Sequence, residues 1–449
     1  MSTSPTTVHT IDHPSRPVWF SEPYLITRDA KDSYLWHCIP SEEPVLHGKL
    51  EGKISAHAEH HVVSKNHLLT ATKLQKDDQR WDELLVHNLE SGSLVDQLSL
   101  ALSESSESRY EAGFLGVDNR TAAVYKKSDE ERRIEVYTIS EEGKLTLEEA
   151  LSEPSHIPDQ SRMNIHHSGY PSSTLIRYAP TGLVEAANYT VFPSGVQLTA
   201  WSSNPRHTQH ETVDFVRVLD AQADRESHLL GHILIPPLNT FVLASYEHAL
   251  EQPDPQPATI LRSFDSDTLS LKWTTTVPQK TSTLHFLPTR NVILAVGLSW
   301  SIDADSSGGV AETTIAVIDA ASGAVQGTHA VKSPQTKCAN LGISVGDASV
   351  TPSGDQVIVV FGDGQITVTS IDDFLDNGFK TATNAEGRFI THPFPETSLS
   401  TPKNKKEHKE LDQGYWAWVN KAFYGDRQVI LRAGRGMKEP TGFAVVSWK

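Results

Sequence analysis

The chain's 21 histidines are the residues best suited to chemistry near neutral pH. An imidazole can ligate a metal or move a proton in that range. Two pairs have His-x-x-His spacing, His57/His60 and His207/His210, and His166 and His167 stand side by side ahead of Ser-Gly-Tyr170. A metal centre needs three or four ligands in a defined geometry. The sequence holds no HExxH run, and its two cysteines, Cys38 and Cys338, are far apart. Solvated loop histidines are therefore the plain reading, and neither metal nor cofactor is expected. A second candidate is basic: Arg432-Ala-Gly-Arg435-Gly-Met-Lys438 could hold an anion or an acidic partner, with a surface loop as the simpler alternative. Its Gly-x-Gly is not followed by a helix pattern, so it is no dinucleotide fingerprint. Tyr246 and Trp300 are the aromatic candidates, since a ring at a rim suits binding or packing. There is no Gly-x-Ser-x-Gly elbow, Walker loop or kinase motif set. The carboxylate pairs Asp303/Asp305, Asp372/Asp373 and Glu141/Glu142 lie in turn-like contexts, where turn chemistry is the default.

These residues must be positioned by short strands. Ser349 to Ile371 reads SVTPSGDQVIVVFGDGQITVTSI, three strands joined by turns at Pro352–Asp355 and Gly362–Gly364. Weaker copies recur. VHNLESGSLV at 86–95, YTISEEGKLTL at 137–147 and VIDAASGAVQG at 317–327 share a strand, a polar turn with Gly, and a second strand. FDSDTLSLKW at 264–273 is a looser copy. Gly at that offset supplies the positive φ of a tight hairpin. The first-to-second-strand turns are predicted near Glu22, Lys65, Asp118, Ser194, Asn239, Thr289, Ser353 and Gly425. That gives eight three- or four-stranded units, with seven as the alternative. No helix-period run interrupts them. Residues 148–182 and 381–413 read as insertions, and residues 1–15 as a tail in which Val8–Ile11 supplies the missing outer strand of the last unit.

This pattern resembles the WD40-like and quinoprotein-like β-propellers across nearly the whole chain. The Trp-Asp ending of WD repeats is absent, and Gly-His occurs only as Gly231-His232, so the resemblance transfers no functional residue. It implies an all-β fold, one β-propeller over residues 1–449. On that fold the second-to-third-strand loops share a face with the connections between units. His57, His60, His166, His167, His207, His210, Tyr246, Trp300 and Arg435 are placed on that long-loop face.

Composition bounds the rest. A formal charge of −17 argues against nucleic acid and anionic membrane surfaces as partners. No stretch of about 18 apolar residues is present, and the first 17 residues lack a secretory pattern. Two distant cysteines make no disulfide framework. A cytoplasmic location is expected, with a nuclear one as the alternative, since Lys403–Lys409 is basic. Two functions remain: a platform for a protein partner, or an enzyme with a small-molecule ligand (lactonase, isomerase, lyase or cyclase type) in an axial pocket of the long-loop face. Oligomeric state is not legible in the sequence.

Overall fold

The computed structural model describes residues 7–52, 54, 58–64, 66–72, 83–100, 111–118, 121–127, 132–152, 173–179, 182–188, 196–202, 225–249, 258–265, 270–302, 309–331, 347–360, 366–378, 417–435 and 443–448. They form eight antiparallel sheets in two compact units.

The first strand, β1 (Thr7–Ile11), belongs to the last sheet. The first sheet then follows in chain order: β2 (Arg16–Ser21), β3 (Tyr24–Arg28), β4 (Ser33–His37) and β5 (Val45–Lys49). These strands sit in the unit formed by Met1–Lys49, Pro278–Ala320 and Ala324–Lys449.

The other unit, Leu50–Val277 with Ala321–Gly323, holds four sheets. The second is β6 (Glu59–Val62), β7 (His67–Thr72), β8 (Glu83–Asn88) and β9 (Leu94–Ser99). The third is β10 (Glu111–Asp118), β11 (Thr121–Lys127), β12 (Arg132–Ile139) and β13 (Leu145–Ser152). The fourth is β14 (Ser173–Ala179), β15 (Gly182–Asn188) and β16 (Val196–Ser202). The fifth is β17 (Arg225–Ile235), β18 (Thr240–Ala249), β19 (Thr259–Asp265) and β20 (Leu271–Val277).

The remaining sheets complete the first unit. The sixth is β21 (Lys280–Leu287), β22 (Val292–Ile302), β23 (Gly309–Asp319) and β24 (Val325–Val331). The seventh is β25 (Asp347–Val350), β26 (Gln356–Val360) and β27 (Ile366–Ser370), followed by a helix, α1 (Ile371–Asn377). The eighth is β28 (Ala417–Tyr424), β29 (Gln428–Arg435) and β30 (Phe443–Ser447), with β1 paired to β30 from Thr7↔Ser447 to Ile11↔Phe443.

Burial explains the composition of each strand. Middle strands such as β7 and β26 are buried along almost their whole length; in β26, Val357 and Val359 pack toward the sixth sheet and Ile358 and Val360 toward the eighth. Their sequences are accordingly continuous apolar runs, as in Val357–Val360. Last strands such as β5 and β20 are largely exposed. Between sheets the packing is apolar. Leu69, Val86, Val124 and Tyr137 join the second sheet to the third. Leu294, Val317, Val357 and Phe374 join the sixth to the seventh. Leu25, Trp36, Ile430 and Phe443 join the eighth to the first. Each fully buried Leu, Ile or Phe contributes about 1.5–3 kcal/mol.

The repeated glycines do what the pattern requires. Gly92, Gly143 and Gly323 take φ of 72°, 81° and 75° in third-to-fourth-strand turns.

Three expectations are corrected. The fourth sheet's first turn lies between β14 and β15, not near Ser194, which falls in the second-to-third-strand loop. Residues 148–182, read as an insertion, contain the end of β13 and all of β14. The helix α1 was not expected. Its seven residues are too few for a visible period, but its caps are in the sequence: the Ser370 side chain accepts the Asp373 N–H at 3.2 Å, and Gly378 ends it at φ 60°. Asp372 and Asp373 thus sit in its first turn, where the helix dipole favours them. The expected insertion at 381–413 lies outside the described residues.

In the first unit, polar groups fasten neighbouring sheets at the end that holds their first-to-second-strand turns. Arg290 pairs with Asp372. The Ser353 N–H donates to Asp426 Oδ1 at 2.7 Å. The Asp426 and Arg427 N–H groups donate to Glu22 Oε2 at 2.8 and 3.4 Å. Burial raises the Glu22 pKa against the lowering effect of those two N–H groups.

Three outcomes follow from this packing. Deleting residues 1–11 removes the five pairs to β30 and should cost about 2–4 kcal/mol by denaturant titration, from several ladder hydrogen bonds at about 1 kcal/mol each. Glu22→Gln keeps an acceptor oxygen and sheds a charge that burial penalises, so it should stay within about 1 kcal/mol of wild type, while Glu22→Ala loses about 1–3 kcal/mol. Acid should destabilise the protein before its carboxylates titrate. Burial pushes His285 down to about 4 and lowers His87, whose Nε2–H donates to the Glu51 carbonyl at 2.7 Å. The native state then binds fewer protons than the unfolded chain below pH 6.5, so stability falls as pH drops from 6.5 toward 4, by at most about 3 kcal/mol for His285. His285→Gln should flatten that decline in a pH series of unfolding curves.

Candidate functional site

The structure separates the sequence candidates. His57, His166, His167, His207 and His210 lie outside the described residues. His60, expected in a connection, is inside β6 and buried, with Nδ1 3.0 Å from Thr70 Oγ1. It is a ladder residue facing its cross-strand partner Thr70. Tyr246 and Trp300 lie within strands, since β18 runs to Ala249 and β22 to Ile302. Arg435, expected in a loop, ends β29, and Arg432 lies within that strand. Among the described residues, no group of three His, Cys, Asp or Glu could hold a metal ion.

A different feature stands out on the described surface. Seven large apolar side chains are exposed, and six of them belong to edge strands. Val8 is on β1, Val45 and Leu46 on β5, Leu147 on β13, Leu271 on β20 and Val325 on β24. The seventh, Ile39, lies in the loop between β4 and β5. The first sheet therefore carries the densest group, with exposures of 39% at Ile39, 59% at Val45 and 42% at Leu46.

Strand register places aromatic rings at the same end. Tyr24 opens β3 opposite His37, the last residue of β4, and His37 is opposite Val45 at the start of β5. The Tyr24 and His37 rings stack with their centroids 5.5 Å apart. His47 meets His37 edge-on at 5.3 Å. Burial and then the neighbouring His47 lower the His37 pKa, so both favour the uncharged ring. Beneath it, Cys38 is buried with its thiol pushed up to about 12 and its carbonyl holding the Gln428 amide at 2.7 Å. That bond fixes the end of β4 against the eighth sheet, so the patch rests on a rigid base. Among the described residues β5 has one neighbouring strand, β4, so its other row of backbone groups faces no described strand.

Sequence reasoning passed over Tyr24, His37, Ile39, Val45, Leu46 and His47. One signal was present: Val45 and Leu46 are adjacent apolar residues in a last strand, where alternation would expose one of them in any register. This group lies at the end of the first sheet carrying the Glu22 turn, the end opposite the second-to-third-strand loop.

No family model matches the sequence, and no curated protein matches it. Solved structures do. The Dos1 propeller is similar with a TM-score of 0.51 at 10% identity, covering 98% of this chain and 93% of that one. The WD40 domain of SCAP from fission yeast gives a TM-score of 0.49 at 12% identity, covering 99% of this chain and 98% of that one. At such identities the likeness speaks for the fold alone, and the Dos1 propeller carries it. With the sheets described above, the fold is a β-propeller.

Proposed function

We propose that this protein is a protein-interaction platform, an eight-bladed propeller over residues 1–449 whose β1 closes the ring, working in the cytoplasm. The carrying observation is the exposure of large apolar side chains on the edge strands of five sheets, densest at Ile39, Val45 and Leu46. Apolar edge strands invite pairing with another chain unless a partner covers them. An extended segment of a partner would add to β5 through its backbone and set side chains against Val45, His47 and the Tyr24–His37 stack. Rigid aromatic groups beside aliphatic ones are the usual anchors of such contacts. The buried, unpaired thiol of Cys38 suits a reducing compartment.

The test is recovery of the full-length protein from its own cell extract, followed by native mass spectrometry. Wild type should carry a protein partner at fixed stoichiometry. Val45→Lys with Leu46→Lys should lose it at an unchanged melting temperature, because both side chains are already exposed. A monomer that carries a small adduct and turns over a metabolite would overturn the reading in favour of an enzyme.

A further inference from the structure

Two guanidinium groups of the first unit hold buried N–H groups that no group among the described residues accepts. Arg28 ends β3, and its Nε and Nη1 are buried with no hydrogen-bond partner. Arg432, in β29, has its Nε buried in the same state. Arg16 opens β2 and is the cross-strand neighbour of Arg28, so their side chains leave the same face of the sheet. The eighth sheet packs against the first at Ile430 and Phe443, with β29 beside β2, the strand that Arg16 opens. Burial and then the positive charge of Arg16 lower the pKa of both Arg28 and Arg432. Three cations from two sheets therefore share one region. A fourth, Lys421 on β28, is the cross-strand neighbour of Arg432 and exposed.

Carboxylates nearby are already engaged. Asp29 follows Arg28, but its Oδ1 accepts the Lys31 and Asp32 N–H groups at 2.7 Å each, and its Oδ2 accepts the Tyr34 hydroxyl at 2.9 Å. Asp32 pairs with Lys49 at 2.6 Å. Arginine cannot relieve the repulsion by losing a proton. Buried, unaccepted N–H groups on like charges are costly, and an anion with several acceptor oxygens removes both costs together.

We propose that Arg16, Arg28 and Arg432 form a binding site for a phosphate group, at the end of the first and eighth sheets opposite the Glu22 turn. A tetrahedral dianion offers acceptors in several directions, which suits guanidinium forks arriving from different strands. The site is separate from the patch at Val45 and goes beyond the platform reading.

The full-length protein is titrated with inorganic phosphate by calorimetry at pH 7, with ionic strength held constant by sodium chloride. One saturable site is expected. Arg28→Met and Arg432→Met should each weaken binding at least tenfold. In phosphate-free buffer both variants should melt at or above the wild-type temperature, since each removes a buried like charge. A purely structural arginine would lower it instead. Arg28→Lys keeps the charge and loses the fork, so it should fold and still bind more weakly. Competition by a phosphoserine peptide would identify a phosphate carried by a partner, and its failure a free phosphate compound; either outcome supports the site. Phosphate stabilising wild type and both Met variants equally would overturn it, because that is the general effect of an excluded salt. No saturable binding to wild type would overturn it as well.

Discussion

The carboxylate of Glu22 holds the first unit at its most exacting point. It accepts two backbone N–H groups from the turn between β28 and β29, and so joins strands that are far apart in sequence. Asp426 in that turn passes the same kind of contact to Ser353 in the seventh sheet. A tight turn exposes N–H groups that must find acceptors, and here the neighbouring sheet supplies them. A Cβ at Gly425 would collide with the Glu22 carboxylate and the Phe20 ring, so the approach depends on that glycine. The apolar packing of Phe20, Leu25, Ile430 and Phe443 can then close without leaving unsatisfied backbone at its edge.

Much of this architecture was legible because it rests on local chemistry. The turns at Glu22, Asn239, Thr289, Ser353 and Gly425 announce themselves through Gly, Pro, Asn and Asp, and the structure has them between first and second strands. Val357–Val360 reads as a buried strand because both its faces are covered. The misplaced turn at Ser194 shows where this kind of reading fails. Phe-Pro-Ser-Gly is as good a turn signal as any other, and only strand pairing reveals that it joins β15 to β16 rather than opening the sheet.

The candidate site was less legible, for a physical reason. His60 looks like a loop ligand because its neighbours are polar, yet its imidazole is buried against Thr70. Polarity in sequence does not report exposure when a strand residue faces its cross-strand neighbour. Conversely, Val45 and Leu46 look like core and are on the outside, because a last strand has one sheet neighbour instead of two. The arginines are a third case. Arg432 was visible beside Arg435, but Arg16 and Arg28 join it only through packing between sheets built from opposite ends of the chain.

The pairing of β1 with β30 also bears on how the chain is made. Thr7 and Ser447 are partners roughly 440 residues apart, and bringing such distant segments together costs about 5 kcal/mol of loop-closure entropy in a free chain. Earlier sheets, each closed by local hairpins, can form while synthesis continues. β1 cannot. It is made long before its partner, so the final sheet waits for residues 443–447 to emerge. Until then β1 has no strand to pair with, and its alternation of half-buried Val-free and exposed positions, Thr7, His9 and Ile11 against Val8 and Thr10, keeps it polar enough to wait in water.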